Sequence, residues 1–88
     1  MALEFTWEER TALANLRKHG VSFVEAATAF GDALSLTIPD PDHSVHEERF
    51  VLIGLTARRH LVVVAPVERD ATIRIISARP AGRRERIA

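Results

Sequence analysis

The sequence contains no cysteine and no tyrosine, and lysine, tryptophan and methionine each occur only once. Without cysteine the chain can form neither disulfide bonds nor thiolate metal sites, and it has no thiol nucleophile. No segment approaches the roughly 20 consecutive apolar residues that span a bilayer, and the N-terminus lacks the pattern of a signal peptide. A cytoplasmic protein that does not contact the membrane is therefore expected.

The remaining composition is typical of a small globular protein. Of the 88 residues, 47% are apolar and 27% are charged, a balance that argues against disorder. A domain of this size buries roughly 60–65% of the surface that its unfolded chain exposes, so its free energy of unfolding is expected to be several kcal/mol. We expect residues 1–88 to form one domain.

The net charge is zero, but the two halves of the chain carry opposite charges. Residues 1–48 contain three cationic and nine anionic side chains, a net charge of −6, and residues 49–88 contain nine cationic and three anionic ones, a net charge of +6. All nine cations of the second half are arginine, whose planar guanidinium group suits phosphate and carboxylate oxygens. The arginine-rich second half indicates that the partner is a nucleic acid or an acidic protein. The alternative is that these arginines form a solvated surface whose charge balances that of the acidic first half.

Two helices are predicted near the N-terminus. Thr6 and Glu9 have the spacing of a capping box, and Gly20 can end the first helix in the left-handed conformation. Ser22 and Glu25 form a second capping box. The apolar stripe of the second helix and the glycine that ends it are Phe23, Ala26, Ala27, Phe30 and Gly31.

Four strands are predicted after the helices, because runs rich in Val, Ile and Leu alternate with short polar turns. The predicted strands span residues 34–38, 49–55, 61–67 and 72–78. Connections of about four residues permit only antiparallel hairpins, and the run at 61–64, apolar on both faces, predicts the central strand. Pro80 suits the first position of a C-terminal helix. The expected fold is α+β, with two N-terminal helices packed on a curved, antiparallel, four-stranded sheet and a short C-terminal helix.

Metal-free RNA cleavage is a reaction that fits this arginine-rich half. It needs a base for the 2′-hydroxyl proton, cations that stabilise the phosphorane, and an acid for the leaving 5′-oxygen. The candidate cations are Arg49, Arg74 and Arg79. Because the chain has no tyrosine, the candidate proton carriers are Glu68 and His19.

Alternation along the last predicted strand indicates which side chains face the helices. Ile75 and Ser77 are expected to face the core, so Arg74 and Ala78 should face the opposite side. On that side Arg74 can bind phosphate. The alternative for Arg74 is a cross-strand ion pair with a glutamate, which would contribute about 0.2–1 kcal/mol.

Other polar groups have plain structural explanations. His19, in the last turn of the first helix, can compensate the helix dipole. Arg58 and Arg59 are expected to be solvated in a turn, and Glu48 is an alternative base on an exposed loop. The loop at residues 40–46 contains Asp and His side chains that can bind a divalent metal, but its prolines and serine are typical of turns. No metal or other cofactor is predicted.

Two segments carry a specific pattern, NLRKHGVSF at residues 15–23 and IRIISAR at residues 73–79. Trp7 precedes the first segment, and the pairs Glu68-Arg69 and Glu85-Arg86 flank the second. In this order and combination, over nearly the whole chain, the sequence resembles the BrnT family, the toxins of BrnT/BrnA type II toxin–antitoxin systems.

The resemblance implies a RelE-like fold, endoribonuclease activity that arrests translation, and neutralisation by a cognate BrnA-like antitoxin. It also implies that operator DNA is contacted only through the antitoxin, with a toxin dimer inside the complex. The expected substrate is RNA, in particular mRNA. The side chains expected to bind it, beside the five catalytic candidates, are Lys18, Arg69, Arg83 and Arg86.

The chain departs from the family pattern at three positions. Glu8 follows Trp7 where aspartate is usual, Thr11 occupies the place of an expected lysine, and Pro80 precedes a C-terminus without tyrosine. These departures favour an alternative function, an inactive homologue that binds the antitoxin as a co-repressor. A third alternative, an RNA-binding domain without a protein partner, predicts strongly salt-dependent RNA affinity.

Overall fold

The computed structural model of the protein describes residues 3–40, 49–83 and 86. Strands, two α-helices and a 3₁₀ turn follow one another along these residues. Their order and bounds are β1 (Glu4–Thr6), α1 (Glu9–His19), α2 (Phe23–Thr28), the 3₁₀ turn (Ala29–Gly31), β2 (Leu36–Pro39), β3 (Phe50–Leu55), β4 (Leu61–Arg69) and β5 (Thr72–Pro80).

The strands form one mixed sheet in the order β1-β5-β4-β3-β2. β1 runs parallel to β5, and the other neighbouring pairs are antiparallel. The α+β class is confirmed, and so are the antiparallel pairing of β2 to β5 and the two N-terminal helices. β4 is the middle strand, as the apolar run at residues 61–64 predicts.

The predicted number of four strands, all antiparallel, is wrong because β1 makes the sheet five-stranded. In β1, which has three residues, Phe5 lies opposite Ile73 of β5. Phe5 also contacts Phe30 across the core, with ring centroids 5.2 Å apart. So short a strand shows too little alternation to be recognised from the sequence, and its partner lies near the other end of the chain.

Local capping signals predicted two helix ends correctly. Gly20 adopts φ +73° after α1, and its N–H donates to Leu16 O at 2.8 Å. This left-handed conformation is the one that glycine adopts without a steric penalty. Before α2, Ser22 Oγ accepts the N–H of Glu25 at 3.0 Å, which confirms the second capping box.

The N-terminus of α1 differs from the prediction. Thr6 pairs within β1, and Glu8 is the N-cap residue of α1 without a side-chain cap hydrogen bond. Thr11 Oγ1 donates to Glu8 Oε1 at 3.1 Å. The predicted Thr6–Glu9 capping box is therefore wrong. α2 is also shorter than predicted, because the chain tightens into the 3₁₀ turn after Thr28.

The main core lies between the helices and one face of the sheet, here called the helix face. Trp7 packs edge-on against Phe23, with ring centroids 6.0 Å apart and planes at 76°. The buried members of this core come from α2, the connection before it, the 3₁₀ turn and the three strands β3 to β5. They are Val21, Phe23, Ala26, Ala29, Leu52, Val62, Val64, Ile75 and Ala78.

A second buried cluster lies on the opposite side of the sheet, here called the open face. It consists of Val51, Ile53, Val63 and Ala81. The N–H of Ala81 donates to Leu61 O at 2.9 Å, which holds the chain after β5 against this face. This cover explains why the run at residues 61–64 is apolar on both sides.

A β-bulge in β5 changes which side chains face the helices. Ser77 lies opposite Ala65, but Ile75 lies opposite Pro66, so Ile76 is an additional residue of β5. Alternation holds up to Ile75, which is buried in the main core. Beyond the bulge it is reversed: Ala78 is buried in the main core and Ser77 is exposed. The predicted orientations of these two residues are therefore wrong.

The prediction that a C-terminal helix begins at Pro80 is wrong, because Pro80 is the last residue of β5. Arg83 and Arg86 have helical backbone, and the N–H of Arg86 donates to Gly82 O at 3.2 Å. The rest of the predicted helix, which runs to about residue 87, falls on residues 84, 85 and 87, outside the described residues. Neither helix of the described ranges is long and apolar enough to cross a bilayer.

Candidate nucleic-acid interface

Arg74 and Arg79, two of the predicted catalytic residues, lie exposed on the open face of β5. Their partners in β4 are Val67 and Val63, and Val63 belongs to the open-face cluster. Val63 and Val67 are four residues apart on β4, which separates the two pairs by about 13 Å. The two arginines therefore share one basic face without forming a compact pair.

Arg69, which is predicted to bind RNA, lies close to Arg74 on the same face. Arg69 is opposite Thr72, and Arg74 is opposite Val67, so the two arginines are diagonal neighbours with Cα atoms about 7–8 Å apart. Thr6 of β1 is the other neighbour of Arg74. Within residues 3–40, 49–83 and 86 no salt bridge involves Arg74. The cross-strand ion pair considered as its alternative role is therefore not formed among these residues.

Asn15 fixes the end of α1 against β5. Its amide Nδ2 donates to Val21 O at 3.0 Å and to Ala78 O at 2.8 Å, and its Oδ1 accepts the Ala78 N–H at 3.1 Å. Asn15 is buried, and these bonds satisfy its polar atoms. The exposed Lys18 and the half-buried His19 follow in the last turn of α1. That turn is thereby held against β5 at Ala78 on the helix face, whereas the next residue, Arg79, is on the open face.

Arg49 and Glu68, two further predicted catalytic residues, lie in a different place. Both line a cleft of about 750 Å³, together with Phe30, Thr37, Asp40, Phe50, Leu52, Ala65, Pro66, Val67, Ile76 and Ser77. The register puts Glu68 opposite Ile73, a helix-face position, whereas Arg74 is on the open face. The five predicted catalytic residues therefore do not converge on one point.

His19 and Arg86 meet in a smaller hollow of about 290 Å³, here called the basic recess. Arg59 and His60, which the sequence did not indicate as site residues, also line it. The complete lining is His19, Gly20, Val21, Arg59, His60, Leu61, Val62, Pro80 and Arg86. The sheet brings the β3–β4 turn beside the end of α1, and no local pattern signals such a long-range approach.

Arg59 and His60 are held in place by hydrogen bonds from α2 to their turn. Glu25 Oε2 accepts the hydroxyl of Thr56 at 2.7 Å and lies 2.7 Å from His60 Nδ1. The hydroxyl of Thr56 in turn accepts the backbone N–H of His60 at 3.2 Å. Burial favours a raised pKa for Glu25, but the hydrogen bonds from Thr56 and His60 and the charges of His60 and Arg58 lower it below its ordinary value.

Asp32 makes a second connection to the end of β3. Its Oδ2 accepts the N–H of Leu55 at 2.8 Å, and its Oδ1 accepts the N–H of Leu34 at 3.0 Å. These two backbone hydrogen bonds lower the pKa of Asp32 below its ordinary value. Thr28 Oγ1 adds a third contact by accepting the N–H of Ala57 at 2.8 Å. The β3–β4 turn is therefore fixed to α2 and the 3₁₀ turn.

The described part of the chain contains no group of three His, Asp or Glu side chains placed to hold a metal ion. The loop considered for a metal lies, apart from Asp40, in residues 41–48, outside the described ranges. The alternative base, Glu48, lies there too. The Asp40 N–H donates to Arg49 O at 2.8 Å and so closes the base of this loop.

Comparison with known proteins identifies the family. Residues 7–85 match the family model described as the ribonuclease toxin, BrnT, of type II toxin–antitoxin systems. The chain belongs to the BrnT family. The resemblance of the segments at residues 15–23 and 73–79 to this family is thereby confirmed. None of the curated proteins compared with the chain matches it.

A solved BrnT structure shares the fold. The 1.1 Å crystal structure of the Brucella abortus ribonuclease toxin BrnT matches with a TM-score of 0.69 and 19% sequence identity. The match covers 93% of this chain and 100% of that chain. At this identity the likeness establishes the arrangement of helices and strands.

Proposed function

We propose that this chain is a metal-independent, RelE-like endoribonuclease toxin that acts in the cytoplasm, cleaves mRNA and so arrests translation. A cognate BrnA-like antitoxin neutralises it and alone contacts operator DNA, in a complex with two toxin chains. The observation that supports RNA binding most is the open face of β5, where Arg74 and Arg79 are exposed and Arg69 lies beside Arg74. Family membership supplies the reaction class.

In this proposal the open face binds the RNA backbone. Arg69 and Arg74 are close enough to bind one phosphate or two adjacent ones, and Arg79 binds a phosphate farther along the strand. Lys18, at the end of α1, and the C-terminal Arg83 and Arg86 extend the basic surface. Because each phosphate contact releases counterions, RNA affinity is expected to fall steeply with salt concentration.

The cleavage step requires a guanidinium group beside the phosphorane and proton carriers on both sides of it. In this proposal Arg79 supplies the guanidinium group and His19 supplies a proton, and the hydrogen bonds by which Asn15 holds the end of α1 at Ala78 support this assignment. Arg49 and Glu68 line the larger cleft instead. We therefore propose that Arg49 and Glu68 position RNA that enters this cleft.

A growth experiment tests the toxin proposal. Induction of the chain alone is expected to stop bacterial growth, and co-expression of the adjacent gene is expected to restore it. Arg74→Ala should remove the arrest. Arg10→Ala, which changes an exposed arginine of α1 away from the basic face, should retain it. A soluble Arg74→Ala variant that still arrests growth would reject the role of Arg74.

The second candidate function is an inactive toxin homologue that binds the antitoxin as a co-repressor. Thr11, at the place of the expected lysine, donates its hydroxyl proton to Glu8 and carries no charge. If this position limits activity, Thr11→Lys should convert a non-toxic chain into a toxic one. Growth arrest by the unchanged chain would reject this alternative. A chain that does not arrest growth but co-purifies with the antitoxin would support it.

A further inference from the structure

The basic recess collects cationic and imidazole groups from three separate parts of the chain. His19 comes from the end of α1, Arg59 and His60 come from the β3–β4 turn, and Arg86 comes from the C-terminal segment. None of the described residues that line it is acidic. Arg86 Nε donates to Ala81 O at 3.3 Å, which holds its guanidinium group in place. Such a recess suits a phosphate group.

His60 is held in one orientation by Glu25. Its Nδ1 lies 2.7 Å from Glu25 Oε2, and the Glu25 side chain is only 11% exposed. An ionised carboxylate can only accept hydrogen bonds, so Nδ1 carries the proton in this contact and Nε2 of the neutral ring is the acceptor. Nε2 has no partner within the described ranges. With 63% of the side chain exposed, a ligand can reach it.

We infer that the basic recess binds the scissile phosphate of RNA, and that His60 is the general base of the cleavage while Glu25 positions it. The inference rests on the proposed ribonuclease function and assigns the proton carriers of that reaction. His19, which lines the same recess from the end of α1, is the general acid. Arg59 and Arg86 hold the non-bridging phosphate oxygens.

The reaction step balances with these groups alone. His60 Nε2 takes the 2′-hydroxyl proton while the 2′-oxygen forms a bond to phosphorus. The bond from phosphorus to the 5′-oxygen breaks, and the imidazolium of His19 gives its proton to that oxygen. The products are a 2′,3′-cyclic phosphate and a 5′-hydroxyl. Glu25 stabilises the imidazolium that forms at His60, as a carboxylate does beside the histidine of a catalytic triad.

The first test is the pH dependence of RNA cleavage by the purified chain. With one base and one acid the rate should follow a bell-shaped profile, and His60→Gln should lower it by about 10²–10⁴-fold and remove the acidic limb. Arg10→Gln is the control, since Arg10 is an exposed arginine of α1 that does not line the recess. The charged or titratable groups near His60 are Glu25 of α2, Arg58 and Arg59 of its own turn, His19 of α1, and Arg86.

The variant Glu25→Gln tests whether Glu25 positions His60 for catalysis or only stabilises the fold. If Glu25 positions His60, this variant should lower kcat and displace the acidic limb, while KM for RNA stays close to the wild-type value. A merely structural Glu25 would change thermal stability and leave the pH profile as it is. Wild-type rates and both limbs in His60→Gln would overturn the inference even though the chain is a ribonuclease.

A binding measurement distinguishes failure of the proposed ribonuclease function from failure of the basic recess as the phosphate site. An RNA oligonucleotide with 2′-O-methyl groups cannot be cleaved, and its addition should shift the imidazole NMR signals of both His19 and His60. Binding that leaves these signals in place would overturn the recess as the phosphate site. A wild-type chain that cleaves no RNA would reject the proposed function and the proton-transfer roles together, and the same titration would then decide phosphate binding alone.

Discussion

Asn15 connects α1 to the strand that carries the basic face. Its amide makes both backbone contacts of Ala78 and one of Val21. No hydrophobic side chain can replace these bonds, and the backbone groups of Ala78 would remain buried without partners. Asn15 therefore stabilises the fold, and it also determines where Lys18 and His19 lie.

Asn15→Leu is expected to lower the free energy of unfolding by about 1–3 kcal/mol, the cost of leaving buried hydrogen-bonding groups unsatisfied. Urea denaturation monitored by circular dichroism measures the change. Arg17→Ala, at an exposed position of the same helix, is the control and should stay within about 0.5 kcal/mol of the wild type. Equal stability of Asn15→Leu and the wild type would contradict the role of Asn15.

Glu25 and Asp32 make the stability of the fold depend on pH. Folding lowers the pKa of Glu25 from its ordinary value of 4.5 and that of Asp32 from 3.8. The unfolded chain therefore binds more protons in this range, so the stabilisation is complete above about pH 4.5 and is lost as the pH falls through the folded-state pKa values.

Chemical denaturation between pH 3 and pH 7 tests this dependence. The wild type should lose stability below about pH 4.5, and Glu25→Gln and Asp32→Asn should each lose less between neutral and acidic pH because one linked group is missing. Glu9→Gln, which changes an exposed carboxylate of α1, should follow the wild-type curve. Parallel curves for all four proteins would contradict the contacts of Glu25 and Asp32.

At the scale of elements, β3 packs closely against the 3₁₀ turn at Gly54. A Cβ atom at Gly54 would lie 3.0 Å from Ser35 Cβ and 3.1 Å from Ala29 O. At Gly31 the same atom would meet nothing within 4 Å. Glycine in the interior of a strand commonly marks such a close approach.

Gly54→Ala is expected to destabilise the fold by about 1–3 kcal/mol, because the strand and the 3₁₀ turn must separate to admit the methyl group. Gly31→Ala should be neutral or stabilise by up to about 1 kcal/mol, since it restricts the unfolded chain. Thermal unfolding of both variants measures the difference. A Gly54→Ala variant as stable as Gly31→Ala would show that β3 does not approach the turn this closely.

Elements were predictable from the sequence where the signal is local. Ser22 and Gly20 marked helix ends, and runs of Val, Ile and Leu marked β3, β4 and β5. The bulge at Ile76 has no such signal, since it arises from the pairing of β5 with β4. It nevertheless decides that Ala78 is buried and that Ser77 and Arg79 share the open face.

At the scale of the whole molecule, residues distant in sequence meet where no short motif predicts it. β1 pairs with β5 across almost the full chain. The basic recess joins His19, His60 and Arg86 in the same way. Residue type alone indicated that arginine and histidine are candidates for RNA binding and catalysis. Only the tertiary structure shows which of the candidate residues lie on the open face, in the larger cleft and in the basic recess.

RNA cleavage by the purified chain in the presence of EDTA tests the central claim most directly. The account predicts that the wild type and Arg10→Ala cleave RNA without a divalent metal. Arg74→Ala should cleave about 10–100-fold more slowly, because it loses a charged contact to a backbone phosphate that positions the RNA, with its circular dichroism spectrum unchanged. Cleavage that requires added Mg²⁺, or a wild-type rate in Arg74→Ala, would contradict the account.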